Sequence, residues 1–197
     1  MKPIKLNSSE VDIWFTSDLH FGHRNIIDFC NRPWKTTEEM DEVLMRNWNS
    51  VVKDDDIIFD LGDFAYATTS RWKYLIQNLK GRHFLIKGNH DELRYPGDHI
   101  FKLFEGVYDQ LLLKIDNYNV YLNHYPFLCY GGAYRKDTIN LFGHVHSGPY
   151  SNNGLDIDRL KMLFPTQYDV GVDNNDYYPI SWKTIKDIVQ KRLNNQK

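Results

Sequence analysis

The sequence predicts an α/β (α+β) protein in which two β-sheets pack face to face and helices cover the outside. Strand and helix signals alternate through the first half of the chain, whereas strand signals predominate in the second half. Layers of this kind bury the apolar face of each element against its neighbour. In addition, small clusters of Asp, Asn and His each follow an apolar, strand-like run. Because ligands bind at strand ends in many α/β folds, these clusters predict one shared site.

The first half of the chain begins with a predicted strand over residues 11–17 and a helix that starts near Thr36. Thr36 and Glu39 have the spacing of a capping box, in which each side chain satisfies a backbone N–H at the helix start. The residues that follow at helical spacing form one apolar stripe, made of Met40, Val43, Leu44 and Trp48. The other elements predicted for this half are a strand at 57–61, a helix at 70–79 and a strand at 84–86.

The second half contains a predicted hairpin, because two apolar runs flank Asp116-Asn117. Its last predicted element is a helix over residues 181–193, in which Ser181 is the N-cap. For residues 152–165 two interpretations stay open, an excursion near the site or a short helix at 157–163. The strands predicted for this half are 111–115, 118–122, 139–142 and 169–172.

Length and composition are those of a soluble globular protein. The chain has 197 residues, of which 42% are hydrophobic and 25% charged. We therefore expect a single domain over residues 1–197 with one sizeable core. The formal net charge is −2. Without a general positive field, the protein is not expected to hold duplex nucleic acid stably by its phosphates.

The cysteines and the chain start bear on the compartment. Cys30 and Cys129 are the only cysteines of the sequence and do not form a Cys-x-x-Cys pair. Two separated thiols predict a reducing compartment in which both are small core residues. We recognise neither a signal peptide nor an apolar run long enough to span a membrane. We therefore expect a cytoplasmic protein without a membrane partner.

The polar clusters have the composition of a metal site. Asp18 and His20 are two residues apart, as are His144 and His146, and residues at this spacing in an extended chain project to the same side. Carboxylate, amide and imidazole groups suit manganese, iron, zinc or cobalt, and the absence of thiolates argues against a structural zinc site. Seven ligands are too many for one tetrahedral metal and natural for two metals that share a carboxylate. The seven candidate ligands are Asp18, His20, Asp63, Asn89, His124, His144 and His146.

Taken together, the motifs resemble the calcineurin-like metallophosphoesterase superfamily, and especially its small single-domain members from bacteria and bacteriophages. The pattern Asp-x-His, Gly-Asp, Gly-Asn-His-Asp, His and Gly-His-x-His occurs in order, and residues 17–23 read Ser-Asp-Leu-His-Phe-Gly-His. The resemblance spans roughly Trp14 to Ser181. It implies a four-layer αββα sandwich with two mixed sheets flanked by helices.

The resemblance also implies a role for each site residue. Two divalent transition metals are expected, manganese first, with iron, zinc, nickel or cobalt as alternatives. His90 would lie near the leaving oxygen as a general acid or charge stabiliser. Asp91 would orient His90 by accepting a hydrogen bond from it. Asp18, His20 and His146 would hold the first metal, Asn89, His124 and His144 the second, and Asp63 would bridge them.

The expected function is hydrolysis of phosphodiesters or small phosphomonoesters by attack of a metal-bridging hydroxide. The expected partner is a small phosphoester, for which a nucleotide is one candidate. A first alternative is a nuclease of the same superfamily that acts on single-stranded nucleic acid. A second is a scaffold protein without turnover. The nuclease would contact phosphates through basic side chains, for which the candidates are Arg24, Arg32, Arg71, Arg135 and Lys136.

Several further residues carry two interpretations each. His23 and Arg24 are either substrate contacts or a loop pair that caps the following helix. Asp173 occupies a strand-end position and is expected to be structural. The remaining aromatic and histidine residues divide into pocket wall or core (Tyr66, Tyr125 and Phe127) and surface or partly buried (His83 and His99).

Overall fold

The computed structural model describes residues 2–94, 96–147 and 160–195. The strands in these ranges are β1 (Ile4–Leu6), β2 (Ile13–Thr16), β3 (Ile57–Asp60), β4 (Arg82–Ile86), β5 (Gly106–Tyr108), β6 (Gln110–Ile115), β7 (Tyr118–Asn123), β8 (Thr138–Phe142), β9 (Gln167–Asp169) and β10 (Ile180–Ser181). The helices are α1 (Arg24–Phe29), α2 (Thr37–Val51), α3 (Thr69–Asn78), α4 (Asn89–Leu93), α5 (Asp98–Phe101) and α6 (Trp182–Asn194), together with a 3₁₀ turn at Val172–Asn174.

The described strands form two mixed sheets, which confirms the predicted fold class. The first sheet has the order β1-β6-β7-β8-β9 and the second the order β10-β2-β3-β4-β5. In the first sheet β7, β8 and β9 are parallel, and β6 and β7 form the predicted hairpin. In the second sheet β2, β3, β4 and β5 are parallel. The carboxyl ends of parallel neighbours therefore lie together at one edge of each sheet.

Two apolar layers hold the sheets in place. Strand β6 alternates between half-buried and buried residues, which is the pattern of a strand with one face in the core. Its inward residues pack between the sheets with those of β2, β3 and β8 and with the buried face of α6. The other face of the second sheet is covered by α1, α2 and α3. The buried residues of α2 include Met40, Leu44 and Trp48, as the sequence pattern predicts.

Side-chain caps fix the starts of the long helices. Thr36 Oγ1 accepts a hydrogen bond from the backbone N–H of Glu39 at 3.2 Å, so the predicted N-cap is confirmed. The Glu39 carboxylate accepts from the N–H of Lys35 instead of that of Thr36, so the capping box is displaced by one residue. Ser181 caps α6 through the N–H of Thr184. Among the helices within the described ranges, none combines the length and the apolar character that crossing a bilayer requires.

Some expectations about the fold are wrong in detail. The strand predicted at 169–172 lies at Gln167–Asp169, because the Asp169 carboxylate accepts from the N–H of Gly171 and the chain turns there. His83 is buried and stacks on Trp48, so it is not a surface residue. Cys129 is exposed, so only Cys30 is a core cysteine. The short helix predicted at 157–163 lies in part outside the described residues.

Candidate metal centre

The candidate ligands lie at the carboxyl ends of five strands from both sheets. In the second sheet, Asp18 follows β2, Asp63 follows β3 and Asn89 follows β4. In the first sheet, His124 follows β7 and His144 follows β8. Since the parallel strands of each sheet end at the same edge, these side chains converge where the two sheets meet. The fold thus brings together residues that are far apart in sequence.

The converging side chains form two groups of ligand atoms that share one carboxylate. Within each group the ligand atoms lie within 4.8 Å of one another. Asp63 Oδ2 is 3.5 Å from the Nε2 atom of His20 in one group and 3.5 Å from that of His124 in the other. Asn89 Oδ1 lies 3.2 Å from His124 Nε2 and so joins the second group. The two groups are Asp18, His20 and His146, and Asp63, His124 and His144. Two further clusters within the described residues overlap the first group, namely His20 with His23 and His90, and His146 with Cys30 and Asp173.

Hydrogen bonds orient the histidine rings toward the centre of each group. His124 Nδ1 lies 2.7 Å from the carbonyl oxygen of Leu61, and His146 Nδ1 lies 2.8 Å from Asp173 Oδ2. Because both partners accept, each Nδ1 carries a proton, so Nε2 is the nitrogen that can bind a cation once it has lost its own proton. His20 Nε2 is buried without a hydrogen-bond partner among the described residues. The Nε2 atoms of His20, His124 and His146 are therefore the candidate metal-binding nitrogens.

A buried ion pair supports the ring of His146. Arg32 donates to both carboxylate oxygens of Asp173, from Nε at 2.9 Å and from a terminal nitrogen at 2.8 Å. Arg32 also donates to the backbone carbonyls of Asp18 and Leu19, at 2.7 and 3.0 Å. Burial raises the pKa of the Asp173 carboxyl, but the charge of Arg32 outweighs it and holds this pKa well below its usual range. The ionised carboxylate is the acceptor that fixes His146.

This ion pair bears on the roles that the sequence predicted for Asp173 and Arg32. Asp173 acts on the site through His146, in keeping with the structural role expected for it. Arg32 is buried, so the hypothesis that it contacts substrate phosphates is wrong. The two residues are 141 positions apart in the chain, and no local pattern relates them.

The shared carboxylate is electrostatically coupled to its neighbours. Burial raises the pKa of Asp63, but the hydrogen bond and charge of His124 outweigh this effect and lower it overall. Burial lowers the pKa of His124, but Asp63 and the charge of Asp18 raise it to about 9. The charged form of Asp63 is thus the favoured one in this surrounding. An ionised, buried carboxylate between imidazoles is a strong attractor for a cation.

Asp91 does not orient His90, so this expectation is wrong. The Asp91 carboxylate accepts from the backbone N–H groups of Asp63, Phe64 and Gly88, at 2.8, 3.0 and 2.8 Å. It therefore ties the loop after β3 to the loop after β4. Burial raises the pKa of Asp91 to about 7, against the effect of these three donors. Asp91 is a positioning residue for the loop that carries Asp63.

His90 itself lies at the edge of the ligand groups. Its Nε2 is 4.0 Å from Asp63 Oδ2, and its ring is edge-on to that of His20 at 4.9 Å between centroids. The Nδ1 atom of His90 is buried and has no hydrogen-bond partner among the described residues. Its side chain is 26% exposed, so one side of the ring remains accessible from the solvent.

His23 belongs to the site, whereas Arg24 points away from it. His23 Nδ1 lies 3.1 Å from His20 Nδ1, and the His23 ring stacks on Tyr66 at 4.6 Å. Arg24 is exposed and pairs with Asp28 at 3.1 Å on α1. The arginine beside the site is Arg94, which sequence reasoning missed. Its guanidinium lies 4.2 Å from the centroid of the Tyr66 ring and donates to the Tyr66 hydroxyl.

The residues present fit divalent cations. The donor set combines carboxylate oxygens, an amide oxygen and imidazole nitrogens, which suits first-row transition metals. Close packing of the surrounding backbone keeps these donors in place. A Cβ at Gly88 would lie 2.3 Å from Asp63 Oδ1, and one at Gly143 would lie 2.5 Å from Asp18 Oδ2. Glycine at both positions leaves room for the two carboxylates.

Comparisons with known proteins show the family to which the chain belongs. The sequence profile of the calcineurin-like phosphoesterases matches residues 11–191. An uncharacterized protein of Methanocaldococcus jannaschii is 33% identical over 183 residues, 91% of this chain and 92% of its own. The Gene 66 protein of Mycobacterium phage L5 is 31% identical over 160 residues, 68% of this chain and 77% of its own. A crystal structure of a protein of unknown function from Aquifex aeolicus superimposes with a TM-score of 0.68 at 26% identity, covering 90% of this chain and 99% of the other.

These matches and the ligand geometry establish the class of protein. Its two mixed sheets carry Asp and His groups that can hold metal ions. The chain belongs to the calcineurin-like phosphoesterase family. Membership supports a phosphoester hydrolase that uses divalent metal ions.

Proposed function

We propose that the protein hydrolyses phosphodiesters or small phosphomonoesters with two divalent transition metals, of which manganese is the first candidate. The observation that carries the proposal is the position of Asp63 Oδ2, 3.5 Å from an imidazole nitrogen of each ligand group. One group would hold the first metal, and the other, with Asn89, would hold the second. When bound, such a metal pair activates a water molecule and neutralises charge on the phosphoryl group.

The chain's own residues supply the remaining chemistry. His90 lies beside the ligand groups, is partly exposed, and has a ring nitrogen without a hydrogen-bond partner among the described residues. It is suited to donate a proton to the leaving oxygen, or to stabilise negative charge there. Arg32 and Asp173 hold His146, and Asp91 holds the Asp63 loop, so the ligands are preorganised before substrate arrives.

Hydrolysis of bis-p-nitrophenyl phosphate and p-nitrophenyl phosphate tests the proposal, with Mn, Ni, Co, Zn and Mg added in turn. The matched variant is Asp63→Asn, which keeps the size of the side chain and removes its charge. Changes around a metal site cost about 10–100-fold in affinity or activity even at residues that only support the ligands. We therefore expect Asp63→Asn to lose metal and activity together. Activity that survives this substitution unchanged would refute the proposal.

A nuclease for single-stranded nucleic acid is the second candidate, because Arg94 and Tyr66 form an exposed cation and aromatic pair beside His23. Such pairs stack bases and contact phosphates with little sequence preference. Other basic candidates favour it less, since Arg71 pairs with Asp41 and Arg135 with Asp137. A steep loss of activity with salt on single-stranded oligonucleotides, with a log–log slope shallower by up to about one unit in Arg94→Gln, would favour the nuclease.

The cytoplasmic location is part of the same proposal. Cys30 is buried and Cys129 exposed, and both are free thiols. An exposed free thiol is typical of proteins in a reducing compartment, where thiols are not oxidised to disulfides. Reaction of the native protein with a thiol reagent, directly after extraction under non-reducing conditions, would label Cys129 alone.

A further inference from the structure

An apolar pocket adjoins the ligand group of His124 and His144, whereas Tyr66 contacts His23 and His90. Its volume is about 500 Å³, which lies within the usual range of small-molecule sites. His144 is the one ligand-group residue in its wall, so the pocket opens directly onto the candidate metal centre. Among the residues that the structure describes, the other wall residues are nearly all apolar and include Tyr125, Phe127, Leu128, Val145 and Leu163.

Tyr125 forms the boundary between the pocket and the ligands. Its ring centroid is 4.6 Å from that of His144 and 5.0 Å from that of His124. Its hydroxyl lies 3.5 Å from Asn89 Oδ1, while 45% of the residue is exposed. Tyr125 is therefore a wall of an open site and not a core residue. A group that is bonded to a phosphorus atom at the ligand groups and extends into the pocket would contact the Tyr125 ring.

The rim of the pocket exposes large apolar side chains to solvent. Leu128 is 78% exposed and Met162 is 69% exposed. Each square ångström of apolar surface removed from water contributes roughly 25 cal/mol, so this surface favours an occupant with an apolar face. The two aromatic rings of the wall, Tyr125 and Phe127, favour a planar occupant, because stacked aromatic pairs gain energy beyond burial alone.

We infer that this pocket binds a nucleobase, so that the substrate is a nucleotide phosphoester whose nucleoside faces Tyr125 and Phe127. The inference rests on the proposed hydrolase function and deepens it. It also assigns an orientation to the substrate. His90 lies on the Tyr66 side of the ligand groups, at 5.9 Å between ring centroids. The alcohol beside His90 therefore leaves, and the nucleoside in the pocket stays on the phosphate.

The reaction balances as a simple hydrolysis. Water forms a new bond to phosphorus while the bond from phosphorus to the departing oxygen breaks. The departing alcohol takes up a proton, and the product is a nucleoside monophosphate. No oxidant, reductant or further reactant is required.

Three synthetic esters with the same leaving group test the inference. They are thymidine 5′-(p-nitrophenyl phosphate), methyl p-nitrophenyl phosphate and octyl p-nitrophenyl phosphate, assayed with the metal that supports activity. A base stacked on aromatic side chains gains about 1–3 kcal/mol, so we expect kcat/KM for the thymidine ester to exceed that for the methyl ester by about 5- to 150-fold.

Variants locate the preference in the pocket. Phe127→Ala and Leu128→Asp should lower the ratio of kcat/KM between the thymidine and methyl esters toward one. Leu103→Asp is the matched control, because Leu103 is an exposed leucine, at 40%, between α5 and β5 and outside the pocket. It should leave the ratio as in the wild type.

The other outcomes overturn the inference in distinguishable ways. If the thymidine and methyl esters are hydrolysed with equal kcat/KM, the proposed hydrolase function stands but the pocket does not bind a nucleobase. If the octyl ester equals the thymidine ester, the pocket takes an apolar chain instead of a base. If no ester is hydrolysed with any metal, the proposed function itself fails. A ratio that is unchanged in both pocket variants would place the preference elsewhere in the site.

Discussion

Most of the candidate ligands have an unusual backbone conformation. The φ angles of Asp18, His20, Asp63, His144 and His146 are 59°, 52°, 57°, 70° and 45°. Residues other than glycine rarely adopt this left-handed region, and each such residue costs of order 1–3 kcal/mol. The strain is held by the surrounding hydrogen bonds, for example those from the N–H groups of Asp18 and His20 to the carbonyls of Gly62 and Asp63. Strain concentrated on these residues is consistent with a site selected for function and not for stability.

His90→Ala should separate metal binding from turnover. His90 clusters with His20 and His23 but lies outside the two proposed ligand groups, so we expect its loss to leave the metal content unchanged. If it assists the leaving oxygen, kcat should fall by about 10²-fold or more for poor leaving groups and less for p-nitrophenolate. The measurement is kcat across aryl phosphate esters of rising leaving-group pKa, together with metal analysis. A uniform decrease across the series would contradict the role proposed for His90. His99→Ala, at an exposed histidine away from the site, is the control.

His83 should make the protein less stable on the acid side of neutrality. It is buried against Trp48, and its Nε2 donates to the carbonyl of Leu79 at 3.0 Å. Burial lowers the pKa of His83 below its usual value. The unfolded chain therefore binds a proton more readily, and stability falls as the pH drops below about 6.5.

Melting temperatures measured from pH 8 to pH 5 for the wild type and His83→Phe test this expectation. The variant should lose less stability than the wild type toward acid pH, because phenylalanine retains the stack and has no proton to bind. Histidines at the metal site titrate in both proteins, so their contribution cancels in the difference. Parallel curves for the two proteins would contradict the prediction.

At the scale of elements, the site depends on how closely the strand-end loops pack. A Cβ at Gly143, in the loop after β8, would lie 2.0 Å from Ser17 Oγ and 2.5 Å from Asp18 Oδ2. The N–H of His144 in the same loop donates to the Asp18 carboxylate at 2.9 Å. The loop of the first sheet therefore positions a ligand of the second sheet.

Gly143→Ala should weaken metal binding with the fold retained. The new methyl group has to displace Ser17 or Asp18, and disturbed ligand support typically costs about 10–100-fold in metal affinity. Calorimetric titration with Mn²⁺ measures the affinity, and circular dichroism checks the fold. Gly131→Ala is the control, because the nearest atom to its Cβ would be the terminal oxygen of Tyr121, 2.8 Å away at the end of a side chain. If Gly143→Ala binds Mn²⁺ as tightly as the wild type, the prediction is wrong, because Asp18 then tolerates displacement by the new methyl group.

The sequence predicts long elements and local motifs well, because their signals are local. The stripe of α2, the β6–β7 hairpin and the cap of α6 are confirmed. Strands β1, β5 and β10 have only three, three and two residues, too few to display an alternating pattern. The supports of the site escape prediction for another reason. Arg32 meets Asp173, and Arg94 meets Tyr66, only through the tertiary fold.

At the scale of the whole molecule, the candidate metal centre joins the two sheets. Asp18 and Asp63 come from strands of the second sheet, and His124 and His144 come from strands of the first. The convergence of these ligands could be predicted from sequence because each motif follows a strand. The pocket beside Tyr125 could not, since it is formed by loops whose paths no local pattern specifies.

Cations bound at this junction should stabilise the entire fold. A ligand that binds only the folded state at 100 times its Kd adds about 2.7 kcal/mol. For a chain of this size 1 kcal/mol raises the Tm by about 2–4 °C, so we expect an increase of roughly 5–10 °C. The measurement is the Tm of chelator-treated protein before and after addition of Mn²⁺. In Asp63→Asn the increase should be largely lost, because the carboxylate between the two ligand groups loses its charge. An equal increase in the variant would mean that the stabilising cation binds elsewhere, and no increase in the wild type would contradict stabilisation by a cation at this junction.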